Sequence, residues 1–227
     1  MTTSHSANCT PSIQFSAGTR LGISSKASFL CECSDPIHLE HGLHLIVAPN
    51  GLGKSTLLRS VAGLSPLLSG RVTTSGRIEY FSDYIRADDE VRVHMLFSAL
   101  FRKDALNYAL QLSDDIGLDV QKRFGELSRG NRQKAILILA EAKVRFRKEG
   151  TILLMDEPLA GIDMETCSKI SELWSNSPRH ILRWVVTHEL ASMQQADSLT
   201  TISNGRLIKV DTANGCSLTE TYRQLHQ

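Results

Sequence analysis

Ala48-Pro49-Asn50-Gly51-Leu52-Gly53-Lys54-Ser55-Thr56 gathers two glycines, a lysine and two hydroxyl residues behind a short apolar run. Glycines let a backbone fold tightly enough to aim several N–H groups at one anion. A helix opening directly behind them adds its positive end. Lys54 is placed to reach the β- and γ-phosphates of a nucleotide, and the Ser55 hydroxyl to ligate Mg²⁺. Asn50, Gly51, Gly53 and Thr56 complete the candidate cradle, while Ala48 stands where the phosphate-loop pattern has its first glycine. Met155-Asp156-Glu157 closes a second apolar run, 156 − 54 = 102 residues downstream of the lysine. Asp156 would complete the metal's oxygen shell, and Glu157 would orient and polarise an attacking water. His188 follows a third apolar run, Val185-Val186-Thr187, and an imidazole there would contact the γ-phosphate.

These groups need strands to carry them and helices to back them. Leu43-His44-Leu45-Ile46-Val47 reads as a strand entering the glycine loop, and Ser55 to Gly63 as a helix ended by its glycine. Ser12 to about Leu39 is β-like, and two short strands split at Ser75-Gly76 follow over 71–81. From Val91 to Leu112 apolar residues recur at helical spacing. A helix is expected from Gly130 to about Arg147, and another from about Met164 to Trp174. Thr151 to Met155 is apolar on both faces, as a buried parallel strand is. Ile181 to Thr187 completes a βαβ unit, and Asn204-Gly205 turns a terminal hairpin. The expected class is α/β, with a mostly parallel sheet, an antiparallel fringe and a small helical subdomain. Strand ends on the carboxyl edge of such a sheet are where ligands bind.

With 227 residues the chain is long enough for one substantial core without disulfide or metal staples. Its net charge, 25 − 24 = +1, excludes a strongly basic nucleic-acid binder and an acidic tail protein. The longest apolar stretch, Ala135 to Ala140, falls far short of the roughly 20 residues that span a bilayer. The N-terminus lacks the charged and apolar regions of a signal peptide, so a soluble, intracellular chain is expected. Cys9, Cys31, Cys33, Cys167 and Cys216 show no C-x-x-C spacing and read as buried apolar groups. His38, His41 and His44 straddle Gly42, which argues against a metal site.

With Leu127-Ser128-Arg129-Gly130-Asn131-Arg132-Gln133-Lys134 the chain resembles the nucleotide-binding subunit of an ATP-binding cassette (ABC) transporter. The resemblance runs from about Phe29 to Val210. Ala48–Thr56 matches the Walker A loop, Leu127–Gln133 the signature motif and Ile152–Glu157 Walker B. Ala160–Asp163 matches the D-loop and His188 the switch histidine. It implies a P-loop NTPase core (about 13–84 and 129–227) and a helical subdomain (about 85–128) within one ATPase domain. ATP and Mg²⁺ are the implied ligands, held by Lys54, Ser55 and Asp156, with Glu157 and His188 catalytic. It further implies a head-to-tail homodimer or cassette heterodimer. Ser128 and Gly130 would then meet a γ-phosphate across the interface, at the start of a helix. Asp83 stands where the family has its Q-loop glutamine, and its carboxylate can still reach Mg²⁺ or water as a further metal-site residue. Phe29, 54 − 29 = 25 residues before Lys54, is either the adenine-stacking aromatic or strand core. Lys143, Arg145, Arg147 and Lys148 form a basic knot, either a solvated helix end or a headgroup or partner contact.

The resemblance makes the chain an ATPase subunit at the cytoplasmic face of a membrane, powering a separate permease. Its signature is similar to that of exporters. The 91–112 segment lies where the family docks its membrane partner. The alternative is a soluble cassette ATPase serving an assembly process such as iron–sulfur cluster building. Lys54 to Ser128 is too short a span for the coiled coil of DNA-repair cassettes.

Overall fold

A computed structural model describes residues 10–23, 28–82, 87–188, 190–193, 195–212 and 217–224. Asp83, Cys9 and Cys216 lie outside the described residues. The first half of the chain runs β1 (Ser12–Phe15), β2 (Thr19–Ile23), β3 (Ser28–Cys33), β4 (Ile37–Leu39), β5 (Gly42–Ile46) and α1 (Lys54–Val61). Next come β6 (Val72–Ser75), β7 (Arg77–Phe81), α2 (Val93–Leu100), α3 (Lys103–Asp115) and α4 (Arg129–Arg145). The remainder is β8 (Thr151–Asp156), α5 (Met164–Ser175), β9 (Ile181–Val186), β10 (Ser198–Ser203), β11 (Arg206–Asp211) and α6 (Leu218–Gln224).

Eight strands make one sheet in the order β2-β3-β11-β10-β5-β9-β8-β7, and β4-β1-β6 make a second, antiparallel sheet. In the large sheet β3–β11, β10–β5, β5–β9, β9–β8 and β8–β7 pair in parallel. The antiparallel fringe is β2–β3 and the β10–β11 hairpin. The expected α/β class is therefore the observed one. The hairpin turn sits at Asn204 (φ 49°) and Gly205 (φ 72°), the left-handed pair such a turn requires.

Alternation along the central strands divides the core. Leu43, Leu45, Leu153, Met155 and Val185 face a layer built by α4, α5 and the α2–α3 pair. Ile46, Ile152, Leu154, Leu182, Trp184 and Val186 face α1 and the small sheet. A charged residue also lies on the first face: Arg183 is fully buried, with a bidentate grip on Glu141 of α4 at 3.0 and 2.6 Å. Trp174 of α5 donates its indole N–H to the same carboxylate at 2.8 Å. This buried pair fixes how α4 and α5 lie on β9. Among the described residues, no helix is long and apolar enough to cross a membrane.

The helical pattern over 91–112 is two helices, because Phe101 and Arg102 are extended. The Arg102 guanidinium turns back on the end of α2, donating to the carbonyls of Ser98 and Phe101. The break lets Val93 and Phe97 of α2 bury together with Ala109 and Leu112 of α3. Cys31, Cys33 and Cys167 are buried free thiols, and burial pushes the Cys31 thiol up to about 12. His44 is buried against the Ser198 hydroxyl and the Glu40 carbonyl rather than grouped with His38 and His41. The basic knot is a partly solvated helix end, with Lys143 and Lys148 exposed, whose other face is paired. Lys143 and Arg147 close on Glu79 of β7 at 2.8 and 2.5 Å, and the Arg145 guanidinium lies 4.9 Å from the centre of the Tyr108 ring.

Candidate active site

The parallel register brings the candidate groups to one edge. Ile46 pairs with Val186, Val186 with Asp156, and Met155 with Phe81, so β5, β9, β8 and β7 end in one row. Beyond that row lie the 47–53 loop, Thr187-His188, and Asp156-Glu157. Two backbone bonds lock it: Thr187 N–H donates to Ile46 C=O at 3.2 Å, and Glu157 N–H to Val186 C=O at 3.1 Å.

The glycine loop has the conformation its composition predicts. Gly51 (φ 84°) and Gly53 (φ 95°) are left-handed, and a Cβ on Gly53 would sit 2.7 Å from the Leu30 side chain. α1 starts behind Gly53 with no side-chain cap and no acidic residue in its first turn. The N–H groups of Lys54, Ser55 and Thr56 therefore have no intrahelical acceptor and face the loop, a ready anion cradle. Lys54 is buried, and its ammonium donates to Ala48 C=O (2.8 Å), Pro49 C=O (3.3 Å) and Asn50 Oδ1 (3.1 Å). Burial lowers its pKa, and the carboxylates of Glu157 and Asp156 oppose that shift. The cation thus sits inside its own loop, in the field of both acids.

Glu157 is left-handed (φ 50°), which for a residue with a Cβ costs roughly 1–2 kcal/mol. The strain bends the chain off the end of β8 and leaves the carboxylate half-exposed, with Oε1 3.3 Å from His188 Nε2. Strain of this kind persists where surrounding bonds over-determine it. Here Ala160 N–H and the Gln133 side-chain amide both donate to the Glu157 carbonyl, at 3.1 and 3.4 Å.

The signature residues gather elsewhere. Ser128 caps α4, its hydroxyl accepting from Asn131 N–H at 3.3 Å. Gly130, in the first turn, lies so close to the 157–163 segment that a Cβ would be 2.5 Å from the Gly161 carbonyl. Lys134, one turn on, is buried with its ammonium on Asp163 (2.8 Å) and on the Ile116 carbonyl (2.9 Å). Among the described residues, no hydrogen bond or ion pair ties 128–130 to 48–56. So the structure unites Lys54, Asp156, Glu157 and His188, and sets Ser128 and Gly130 on a separate helix end. Phe29 is not core: its ring is 44% exposed, lies under the Arg20 guanidinium at 5.0 Å, and its Cε1 lies 3.2 Å from where a Gly205 Cβ would stand. Its neighbour Leu30, not Phe29 itself, touches Gly53 of the loop. Gln133 and Lys134 lie in or beside the signature motif, but only the packing shows what they and Arg20 hold.

The chain is similar to known proteins in sequence and in fold. The sequence model of a family described as ABC transporter matches residues 38–160, more than half of the chain. The chain is 32% identical over 178 residues to mouse (Mus musculus) ATP-binding cassette sub-family C member 4, covering 74% of this chain and 13% of that protein. It is 30% identical to the taurine import ATP-binding protein TauB of Rhizobium johnstonii, covering 66% of this chain and 63% of TauB. It is 31% identical to the cytochrome c biogenesis ATP-binding export protein CcmA of Chelativorans sp., covering 57% and 68%. The chain therefore spans less than two thirds of the length of the first two relatives. Among solved structures, an ATP-binding subunit of an ABC transporter superposes with a TM-score of 0.72 at 18% identity, over 95% of this chain and 99% of that one. The chain belongs to the ABC transporter family.

Proposed function

We propose that this chain drives transport across a membrane by hydrolysing MgATP between two head-to-tail cassettes. The observation that carries the reading is the Glu157–His188 pair at 3.3 Å, on the sheet edge that also holds the Lys54 loop. Lys54, leaving its three loop acceptors, binds the β- and γ-phosphates, with the N–H groups of Asn50 to Thr56 around them. Glu157 takes a proton from water as the water oxygen bonds to the γ-phosphorus. The bond to the β–γ bridging oxygen breaks, giving ADP and phosphate. His188 donates a hydrogen bond to the γ-phosphate and holds the Glu157 carboxylate in place.

The donor set fits Mg²⁺. Ser55 and Asp156 offer hard oxygen atoms, and no cluster of three or more His, Cys, Asp or Glu suited to a metal exists among the described residues. An ion held by one or two protein oxygens and completed by substrate phosphates is the usual Mg²⁺ arrangement. When bound, Mg²⁺ neutralises charge building on the phosphate oxygens. Asp83 is retained as a further metal or water ligand on the sequence alone.

Phe29 supplies an exposed ring for adenine to stack on. Ser128 and Gly130, on an α4 end with no acidic residue in its first turn, suit a γ-phosphate of the opposing cassette. A homodimer or a cassette heterodimer satisfies this equally. We read 1–227 as one ATPase domain, with a core lobe (about 13–84 and 129–227) and a helical lobe (about 85–128). The helical lobe, with Met95 and Leu100 exposed on α2, is the face for a transmembrane permease subunit. That places the chain in the cytoplasm, peripheral on the membrane, with no nucleic-acid partner. Export is the direction we favour from the signature residues and the CcmA likeness; the TauB likeness speaks for import, so direction needs its own transport assay. Affinity purification from detergent-solubilised membranes tests the reading. A multi-span protein should co-purify; recovery of soluble partners alone, with none of the chain in membranes, would overturn it.

A further inference from the structure

We propose that Gln133 is a positioning residue for Glu157, tying the strained turn after β8 to the start of α4. The proposal rests on the reading of Glu157 as the group that acts on water.

The turn at Glu157 is left-handed, so its geometry depends on what holds it. Its N–H is fixed to β9 through Val186. Its carbonyl, and that of Pro158, point away from the sheet toward α4. There the Gln133 amide donates to both, at 3.4 Å to Glu157 and 3.2 Å to Pro158. One NH₂ group has two donors, and both are spent on adjacent carbonyls of the same turn. No other side chain among the described residues donates to these two oxygens.

The residues flanking Gln133 on the same helix face fasten the rest of the segment. Gly130 lies directly against the Gly161 carbonyl, and Lys134 is paired with Asp163. Spacings of three and four place Gly130, Gln133 and Lys134 on one face. That face runs along 157–163 from the catalytic carboxylate to the start of α5. The end of α4 that carries Ser128 and Gly130 therefore cannot tilt without pulling on the Glu157 turn. Gln133 is the contact nearest the reacting group, and its role is donation, not bulk.

Two variants of the full chain separate donation from packing. Gln133→Met keeps the length and removes the donors, and Gln133→Lys restores donors on a stem of similar reach. Gln133→Met should lower kcat for MgATP about tenfold, about 1.4 kcal/mol of transition-state stabilisation, with little change in KM. Amide exchange over 157–162, followed by mass spectrometry without nucleotide, should be faster in Gln133→Met. Gln133→Lys should recover most of both losses. Wild-type rate and exchange in Gln133→Met would overturn the proposal, as would equal losses in the two variants, which mark a packing role. The exchange readout does not depend on turnover. If Glu157→Gln hydrolyses at the wild-type rate, the assignment of Glu157 falls, while the exchange comparison still decides whether Gln133 holds the turn.

Discussion

Glu157 Oε1 stands 3.3 Å from His188 Nε2, although the two residues end different strands. β8 and β9 pair in parallel through Asp156 and Val186, so both chains leave the sheet side by side. Only the left-handed turn at Glu157 swings its carboxylate across to the imidazole. The pair predicts that His188→Ala lowers kcat by about 10²-fold, within the range for positioned acid–base groups, and leaves the KM for ATP near its original value. Steady-state phosphate release measures both. A large rise in KM with kcat intact would instead make His188 a simple binding contact.

Gly130→Ala should be damaging out of proportion to its size. The new methyl would stand 2.5 Å from the Gly161 carbonyl, a backbone atom that cannot rotate away. α4 must shift from the 157–163 segment, and a displacement near 1 Å at a reacting centre can cost about 10²-fold in rate. Hydrolysis by the purified variant, with circular dichroism to verify folding, checks this. Wild-type turnover would show that the close approach is dispensable.

Glu141→Ala should be among the most destabilising single changes outside the site. It strands the fully buried Arg183 and removes the acceptor of the Trp174 indole. Breaking a buried pair costs about 3–5 kcal/mol, whereas replacing both charges with apolar groups of similar volume is often nearly neutral. Urea denaturation of Glu141→Ala beside Glu141→Leu/Arg183→Met gives the comparison. Equal losses in the two would indicate that packing, not the orphaned charge, dominates.

Acid should loosen the edge of the sheet at β7. Burial alone would raise the Glu79 carboxyl, but the hydrogen bond and charge of Lys143, then Arg147 and Arg77, hold it below its ordinary value of 4.5. The unfolded chain therefore binds a proton that the folded chain refuses. The resulting stability is present above about pH 4.5 and is lost as pH falls toward the folded value. Denaturation midpoints between pH 6 and pH 3 should fall less steeply for Glu79→Gln. Identical slopes would remove Glu79 from the acid response.

The parts legible in the sequence were those whose chemistry is local. The glycine loop, the doubly apolar β8 and β9, and the Asn204-Gly205 turn each carry their conformation in their own residues. Where function depends on which elements meet, periodicity was silent. The β-like run from Ser12 to Leu39 gives no hint that β1 and β4 leave the main sheet for a second one with β6. The apolar rhythm over 91–112 continues through Phe101 and Arg102, because both α2 and α3 present the same spacing to one core. The pairing of Lys143 and Arg147 was not legible because their partner, Glu79, is 68 residues from Arg147. Gln133 was likewise invisible as a positioning group, since its two acceptors lie 24 and 25 residues away.

In the proposed function the Lys54 loop and Glu157 form an ATP site completed by a second cassette's Ser128 and Gly130. Sedimentation of Glu157→Gln with MgATP, with MgADP and without nucleotide tests it most directly. A dimer is expected with MgATP alone, with no turnover, and that dimer should be lost on adding Ser128→Arg. A chain that stays monomeric with MgATP, or one that hydrolyses it at the wild-type rate, would exclude the shared site.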